Sequence, residues 1–204
     1  MNLLSILAHP RNDSFCRAAF DLANSTLVDF GHDLVVHDLY QESFDPVLKA
    51  EESYTTGDSA EVLLQKSDDP IILAHRQDIV QADGLLIVHP NWWGKPPAIL
   101  SGWLDRVLVP GVAYRLETGE GEPTGLLRLQ HAVVINTTDT PPERERNVLG
   151  DPLNLIWANC VLPYCGTPKV DRRVFGPIAG SSVEARSKWI KQIKEAIIGN
   201  FGRA

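Results

Sequence analysis

The sequence predicts a doubly wound α/β domain, with a five-stranded parallel sheet in order 2-1-3-4-5 covered by helices on both faces as a three-layer sandwich. Three observations predict it. Short apolar runs alternate with longer segments of helical period. The run "GLLIVHP" (84–90) is apolar on both faces, as in a strand at the centre of a parallel sheet. Most connections are short. The 204 residues read as a single domain, 1–204.

The elements follow in order. "LLSILA" (3–8) is a first strand. Phe15, Ala19, Leu22, Ala23, Leu27 and Phe30 recur at helical spacing until Gly31 stops the helix. "DLVVHDL" (33–39) is a second strand, and 69–83 a helix with Pro70 in its first turn. After strand 84–90, "PAILSGWLDRVL" places Leu100, Trp103, Leu104 and Val107 on one helical side. "HAVVINTT" (131–138) is the fourth strand, 154–162 is helical, and "DRRVFG" (171–176) is a short fifth strand. A closing helix, 182–198, aligns Ala185, Trp189, Ile193 and Ala196. Two stretches break the rhythm: 49–69, and 115–129, which reads as a hairpin or flap.

The formal charge of −7 argues against a nucleic-acid partner. No run of eighteen apolar residues predicts a membrane span. The N-terminus has neither a basic region nor a small-residue cleavage site and reads as a strand. Cys16, Cys160 and Cys165 offer no disulfide framework or zinc spacing, which points to a reduced, cytoplasmic protein. The histidines are scattered without metal-ligand spacing, so no metal is expected. Cys165 reads as a buried structural thiol.

In this architecture a ligand sits beyond the carboxyl ends of the strands. "AHPRNDSF" (8–15) starts a helix there; His9, Arg11 and Ser14 suit a phosphate at exposed amides, although the stretch alone favours Ser14 as a plain N-cap and His9 as a polar strand end. "PNWWGKP" (90–96) offers an aromatic wall for a planar ring, or a tryptophan pair at a subunit interface. "NTTDT" (136–140) offers hydroxyls and amides across the same crevice. "ERER" (143–146) reads as a solvated charge run, and Lys95 as a solvated lysine.

Taken together, "ILAHPRNDSF", "HDLYQESFDPVL", "PNWWGKPPAILSGWLDRV", "VAY" (112–114), "NTT" and "YCG" (164–166) resemble the NAD(P)H:quinone oxidoreductases of the flavodoxin-like fold, the DT-diaphorase family with its shorter bacterial members. The matches run in order from residue 4 to about 189. The resemblance implies a homodimeric flavoenzyme that binds FAD, with FMN as the alternative. It would take hydride from NAD(P)H and pass it to a quinone or similar small acceptor. By the same resemblance, His9, Ser14, Phe15 and Cys16 lie around the flavin phosphates and ribityl chain. Pro90, Asn91, Trp92 and Trp93 lie along the isoalloxazine, and Thr137, Thr138 and Asp139 on its pyrimidine side. Arg186 falls at the adenine end. Trp93, Gly94 and Tyr114 belong to the substrate pocket, with Tyr114 supplied by the partner subunit.

Departures accompany the resemblance. Asp139-Thr140 stands where the family commonly has Gly-Gly, Cys16 where it often has Asn. The larger members' Tyr and His that share charge with the reduced flavin have no counterpart between Asp139 and Pro163, so the catalytic residues stay unassigned. Two other roles compete: a flavin-binding ancillary subunit regulating a membrane potassium-efflux protein, and a one-electron carrier. The long inserts and the Trp103 helix match the reductases better than the carriers.

Overall fold

The computed structural model describes residues 1–54, 62, 66–116 and 123–202. Five parallel strands form one sheet: β1 (Asn2–Leu7), β2 (Asp33–Asp38), β3 (Gly84–Pro90), β6 (His131–Thr137) and β7 (Val170–Phe175). Two short strands, β4 (Tyr114–Arg115) and β5 (Thr124–Gly125), pair antiparallel outside it. The sheet order is β2-β1-β3-β6-β7, which is the expected 2-1-3-4-5 arrangement once the hairpin strands are left uncounted. The expected hairpin in 115–129 is present as β4–β5; its tip, 117–122, lies outside the described residues, as does most of 55–65.

Helices α1 (Phe15–Asp29), α2 (Pro70–Gln81), α3 (Ala98–Val107), α4 (Pro142–Asn147) and α6 (Val183–Phe201) join the strands. A fifth helical segment, α5, runs from Pro152 to Tyr164, and its middle, Leu155–Val161, is π-helical. The helix expected over 154–162 is therefore present, but with the wider i→i+5 hydrogen-bond span. Asp69 and Ser182 cap α2 and α6 through their side chains.

Alternation along the strands sorts the core onto two faces. Leu4, Ile6, Leu85, Ile87, Ala132 and Val134 join Ile72, Trp103 and Trp157 on the α2–α3–α5 side. Leu3, Leu7, Leu86, Val88, Val133 and Ile135 join Phe20, Leu27, Ile193 and Phe201 on the α1–α6 side. All seven residues of β3 are buried, as its unbroken apolar run requires. No described helix is long and apolar enough to cross a membrane.

Two arginines fasten the α2–α3 face. Arg106, fully buried, donates from Nε and Nη2 to Glu52 at 2.8 and 2.6 Å, and from Nη1 to the Asp45 carbonyl at 2.6 Å. Arg76 donates from Nε and Nη2 to the Arg106 carbonyl at 3.0 and 2.8 Å, satisfying an orphan acceptor at the end of α3. Gly102 makes this packing possible: a Cβ there would lie 2.1 Å from the Pro46 carbonyl oxygen.

Candidate active site

The β1–α1 connection builds one end of a cleft at the carboxyl edge of the sheet. Ser14 caps α1 by accepting from the Arg17 amide at 3.1 Å. The Phe15 and Cys16 amides, in the first turn, have no intrahelical carbonyl, and the positive end of the helix dipole faces outward there. His9 Nδ1 sits between the Arg11 amide, at 3.1 Å, and the Arg11 carbonyl oxygen, at 3.3 Å. Burial holds the His9 pKa below its ordinary value. Arg11 is gripped by Asp13 in a two-pronged pair, both contacts 2.9 Å.

The β3–α3 connection contributes a tight turn. Trp92 and Lys95 exchange backbone hydrogen bonds at 3.2 Å in both directions. Between them Trp93 and Gly94 both have positive φ, 60° and 73°, as a type I′ turn needs. For a residue as bulky as Trp93 the left-handed region costs about 1–2 kcal/mol. Asn91 supports the turn with every polar atom of its side chain. Oδ1 accepts from the Gly94 amide and Nδ2 donates to Glu145 Oε1, both at 2.9 Å, while its own amide donates to the Thr137 carbonyl at 2.7 Å.

The expected tryptophan wall is only half present within the chain. Trp92 lines the cleft, 6.2 Å from the His9 ring, whereas Trp93 is 97% exposed and does not line it. The reason is the turn: its two central residues project away from the paired ends. Behind it, buried His89 accepts at Nε2 from both Asn136 Nδ2 and Trp157 Nε1 at 2.9 Å, and its Nδ1 donates to the Pro90 carbonyl at 2.8 Å. Burial pushes its pKa down to about 4.

The loops after β6 and β7 close the other side. Thr137 Oγ1 meets Cys16 Sγ at 3.0 Å, and Thr138 Oγ1 accepts from the Thr140 amide at 3.0 Å. Asp139 accepts from the Ala179 amide at 2.7 Å, which ties one loop to the next. Gly176 passes so close to Thr138 that a Cβ would sit 2.2 Å from its carbonyl oxygen. Arg186 bends back over this loop, donating to Ser181 Oγ at 2.8 Å. Burial raises the Cys16 thiol to about 12, so it is a neutral wall group.

These loops enclose a cleft of 670 Å³, within the range of small-molecule and cofactor sites. Eleven of the twelve residues that the resemblance assigns to the cofactor line it: His9, Ser14, Phe15, Cys16, Pro90, Asn91, Trp92, Thr137, Thr138, Asp139 and Arg186, with Trp93 the exception. Arg11, Asp13, Thr140 and Ile178 line it as well. Thr140 stands inside the flagged "NTTDT"; nothing in the sequence marks Ile178. Gly94 and Tyr114 lie outside the cleft. Tyr114 packs edge-on against Tyr164, ring centres 4.7 Å apart. The charged side chains at the cleft balance, with Arg11 and Arg186 against Asp13 and Asp139.

Two sequence readings are corrected here. "ERER" is not wholly a solvated charge run: it lies in α4, and Glu145 is buried at 4% exposure. The histidines are not all scattered: His37, Glu42 and His75 bring ligand-type atoms within 4.8 Å of one another. His37 donates to Glu42 at 2.9 Å and to Asp78 at 3.0 Å, and His75 Nε2 faces Glu42 at 3.1 Å. Trp103 Nε1–H donates to His75 Nδ1 at 2.9 Å, which places the His75 proton on Nε2, toward Glu42. The positions facing the carboxylates are thus filled by protons, and none of these residues lines the cleft.

Comparison with known proteins agrees with this geometry. The profile of a family described as having the flavodoxin-like fold matches residues 1–197. An NAD(P)H oxidoreductase of Haemophilus influenzae is 34% identical over 94% of this chain and 91% of its own length. NAD(P)H dehydrogenase (quinone) 1 of Cavia porcellus is 34% identical over 94% of this chain and 75% of its own. The chain belongs to the flavodoxin-like family, in its NAD(P)H:quinone oxidoreductase branch. An NAD(P)H:quinone oxidoreductase from Methanothermobacter marburgensis superimposes with a TM-score of 0.82, at 26% identity over 97% of both chains. In open α/β sheets ligands bind in the crevice at the carboxyl ends of the strands, where this cleft lies.

Proposed function

We propose that the chain is a flavin-dependent oxidoreductase that reduces a quinone or similar small acceptor at the expense of NAD(P)H, with FAD bound in the cleft described above. The bound flavin would supply the hydride chemistry; the protein supplies position and electrostatics. One observation carries the reading: a single cleft joins a helix N-terminus to an aromatic and hydroxyl-lined end at adjacent strand ends. The donor set fits such a group. The first-turn amides of α1 and the His9 ring suit a phosphate, and Trp92 with Thr137 and Thr138 suits a planar polar ring.

The residues then have distinct tasks. The α1 amides and Ser14 hold the phosphate end. Trp92 walls the ring and keeps water from it. Thr137 and Thr138 place polar atoms on its far side, and the Asp139 carboxylate is already occupied by the Ala179 amide. Arg186 over the Ile178–Ser181 loop favours the second phosphate of FAD over FMN. Trp93, Gly94 and Tyr114 complete the acceptor pocket across a homodimer interface. In support, Trp93 is almost wholly exposed and Tyr114 lies outside its own chain's cleft, as residues acting on a partner's site do. A cytoplasmic setting suits the free thiols.

The purified protein is expected to carry or acquire flavin absorbance near about 450 nm, oxidise NADPH or NADH with menadione, and scatter light as a dimer. Absence of flavin binding overturns the cofactor reading, and binding without turnover favours the regulatory one. Calorimetric titration with FAD and FMN, repeated on Arg186→Ala, tests the FAD preference. If the two bind equally, or the substitution weakens both alike, the preference is wrong.

A further inference from the structure

We propose that Glu145 is a positioning residue of the redox site, which holds the Trp92–Lys95 turn through Asn91 and so fixes how Trp93 is presented. The effect on turnover rests on the flavin reading above; the effect on the turn does not.

Glu145 is buried in α4, yet its carboxylate takes part in no ion pair among the described residues. Among the described residues its one hydrogen bond is Asn91 Nδ2 to Oε1 at 2.9 Å, and Oε2 is buried without a partner. A buried carboxylate so sparsely compensated is a cost to folding rather than a gain. It does not cap its own helix, whose start at Pro141 has no side-chain cap. What it secures is the orientation of Asn91.

Fixing Asn91 matters because the amide is shared. With Nδ2 held by Glu145, Oδ1 is turned to the Gly94 amide, and that contact closes the turn in which Trp93 has a φ of 60°. A flipped or wandering Asn91 would present N–H₂ to the Gly94 N–H, a donor facing a donor. Strained backbone of this kind persists only where its surroundings over-determine it. The same segment braces the turn from below: the Asp151 amide donates to the Glu145 carbonyl at 2.9 Å, and Gly94 sits on Pro152, where a Cβ would lie 3.1 Å from Cγ.

The test compares Glu145→Ala, Glu145→Gln, Asn91→Ala and the Glu145→Ala/Asn91→Ala double variant. Flavin-free crystal structures are expected to show Trp93 leaving positive φ in Glu145→Ala and Asn91→Ala, and keeping it in Glu145→Gln, whose amide oxygen still accepts from Asn91. With flavin bound, each alanine variant raises KM for menadione by about tenfold, the scale of one lost hydrogen bond. The double variant is no worse than either single one, and Glu145→Gln stays within about twofold of the parent. The melting temperature does not follow this order, since removing a buried, sparsely hydrogen-bonded carboxyl group relieves a cost. Trp93 retaining positive φ in Glu145→Ala, additive single effects, or a KM loss that Gln does not rescue overturns the proposal. If the parent binds no flavin, the function proposed above fails, while the Trp93 backbone still decides the role of Glu145.

Discussion

The imidazoles of His37 and His75 stack with ring centres 3.6 Å apart and planes 22° from parallel. They are joined below by Glu42, which accepts from both. Asp78 takes the other His37 nitrogen, Trp103 the other His75 nitrogen, and Phe44 lies edge-on to His75. Two carboxylates on one imidazole favour the doubly protonated His37.

This arrangement and buried His89 give stability a maximum near pH 6.5. For Glu42, burial opposes ionisation, but hydrogen bonds from His37 and His75 prevail and hold its pKa at about 2, below its ordinary 4.5. Its contribution is present above pH 4.5 and is lost as pH falls toward 2. His89, pressed by burial from 6.5 to about 4, binds protons more readily unfolded, so stability already declines as pH falls below 6.5. For His37, burial is outweighed by Glu42 and Asp78, and its pKa is raised above 6.5. Its contribution is full below 6.5 and is lost as pH rises through the folded value. Urea midpoints measured across pH should show this peak, and His37→Asn should flatten the alkaline limb and weaken the Glu42 part of the acid limb, while the decline set by His89 below pH 6.5 remains. An unchanged alkaline limb in that variant refutes the assignment.

Removing one partner of the Arg106–Glu52 pair should destabilise strongly. Both side chains are buried, so Glu52→Ala strands a guanidinium without its carboxylate. The expected loss is about 3–5 kcal/mol in urea unfolding. A loss below about 1 kcal/mol, the range of exposed pairs, would mean that water reaches the site.

The thiols should separate cleanly in an alkylation assay. Cys160 is exposed, whereas burial raises Cys16 and Cys165 to about 12. Native protein should react promptly at Cys160 alone, and urea should release the other two. Prompt reaction of Cys16 would show that the cleft wall opens between α1 and β6.

The strand order and the cleft loops after β1, β3 and β6 were legible because both rest on local signals. Apolar runs mark β1, β3 and β6, and in a parallel sheet every strand delivers its following loop to the same edge. Ser14 was legible as a cap for the same reason. His37 and His75 were not, because the β1–β2 register and the docking of α2 bring together residues far apart in sequence. Glu145 was hidden inside "ERER", where composition says surface and only the contact with Asn91 says otherwise. Trp93 misled in the opposite direction: its residue type predicts burial, but a two-residue turn at its position points it outward. The split of the Trp92–Trp93 pair depends on Gly94, whose positive φ completes the turn.

The balance of two arginines against two aspartates at the cleft has a kinetic consequence. A cleft without net charge on a chain of formal charge −7 exerts no long-range pull on an anionic nucleotide, and the rest of the molecule repels it. The helix terminus and the hydroxyls act only after contact. Capture of a dianionic ligand should therefore quicken as added salt screens the repulsion, the reverse of what a basic nucleotide site shows. Its rate will be set by how often the cleft is met by chance rather than by steering.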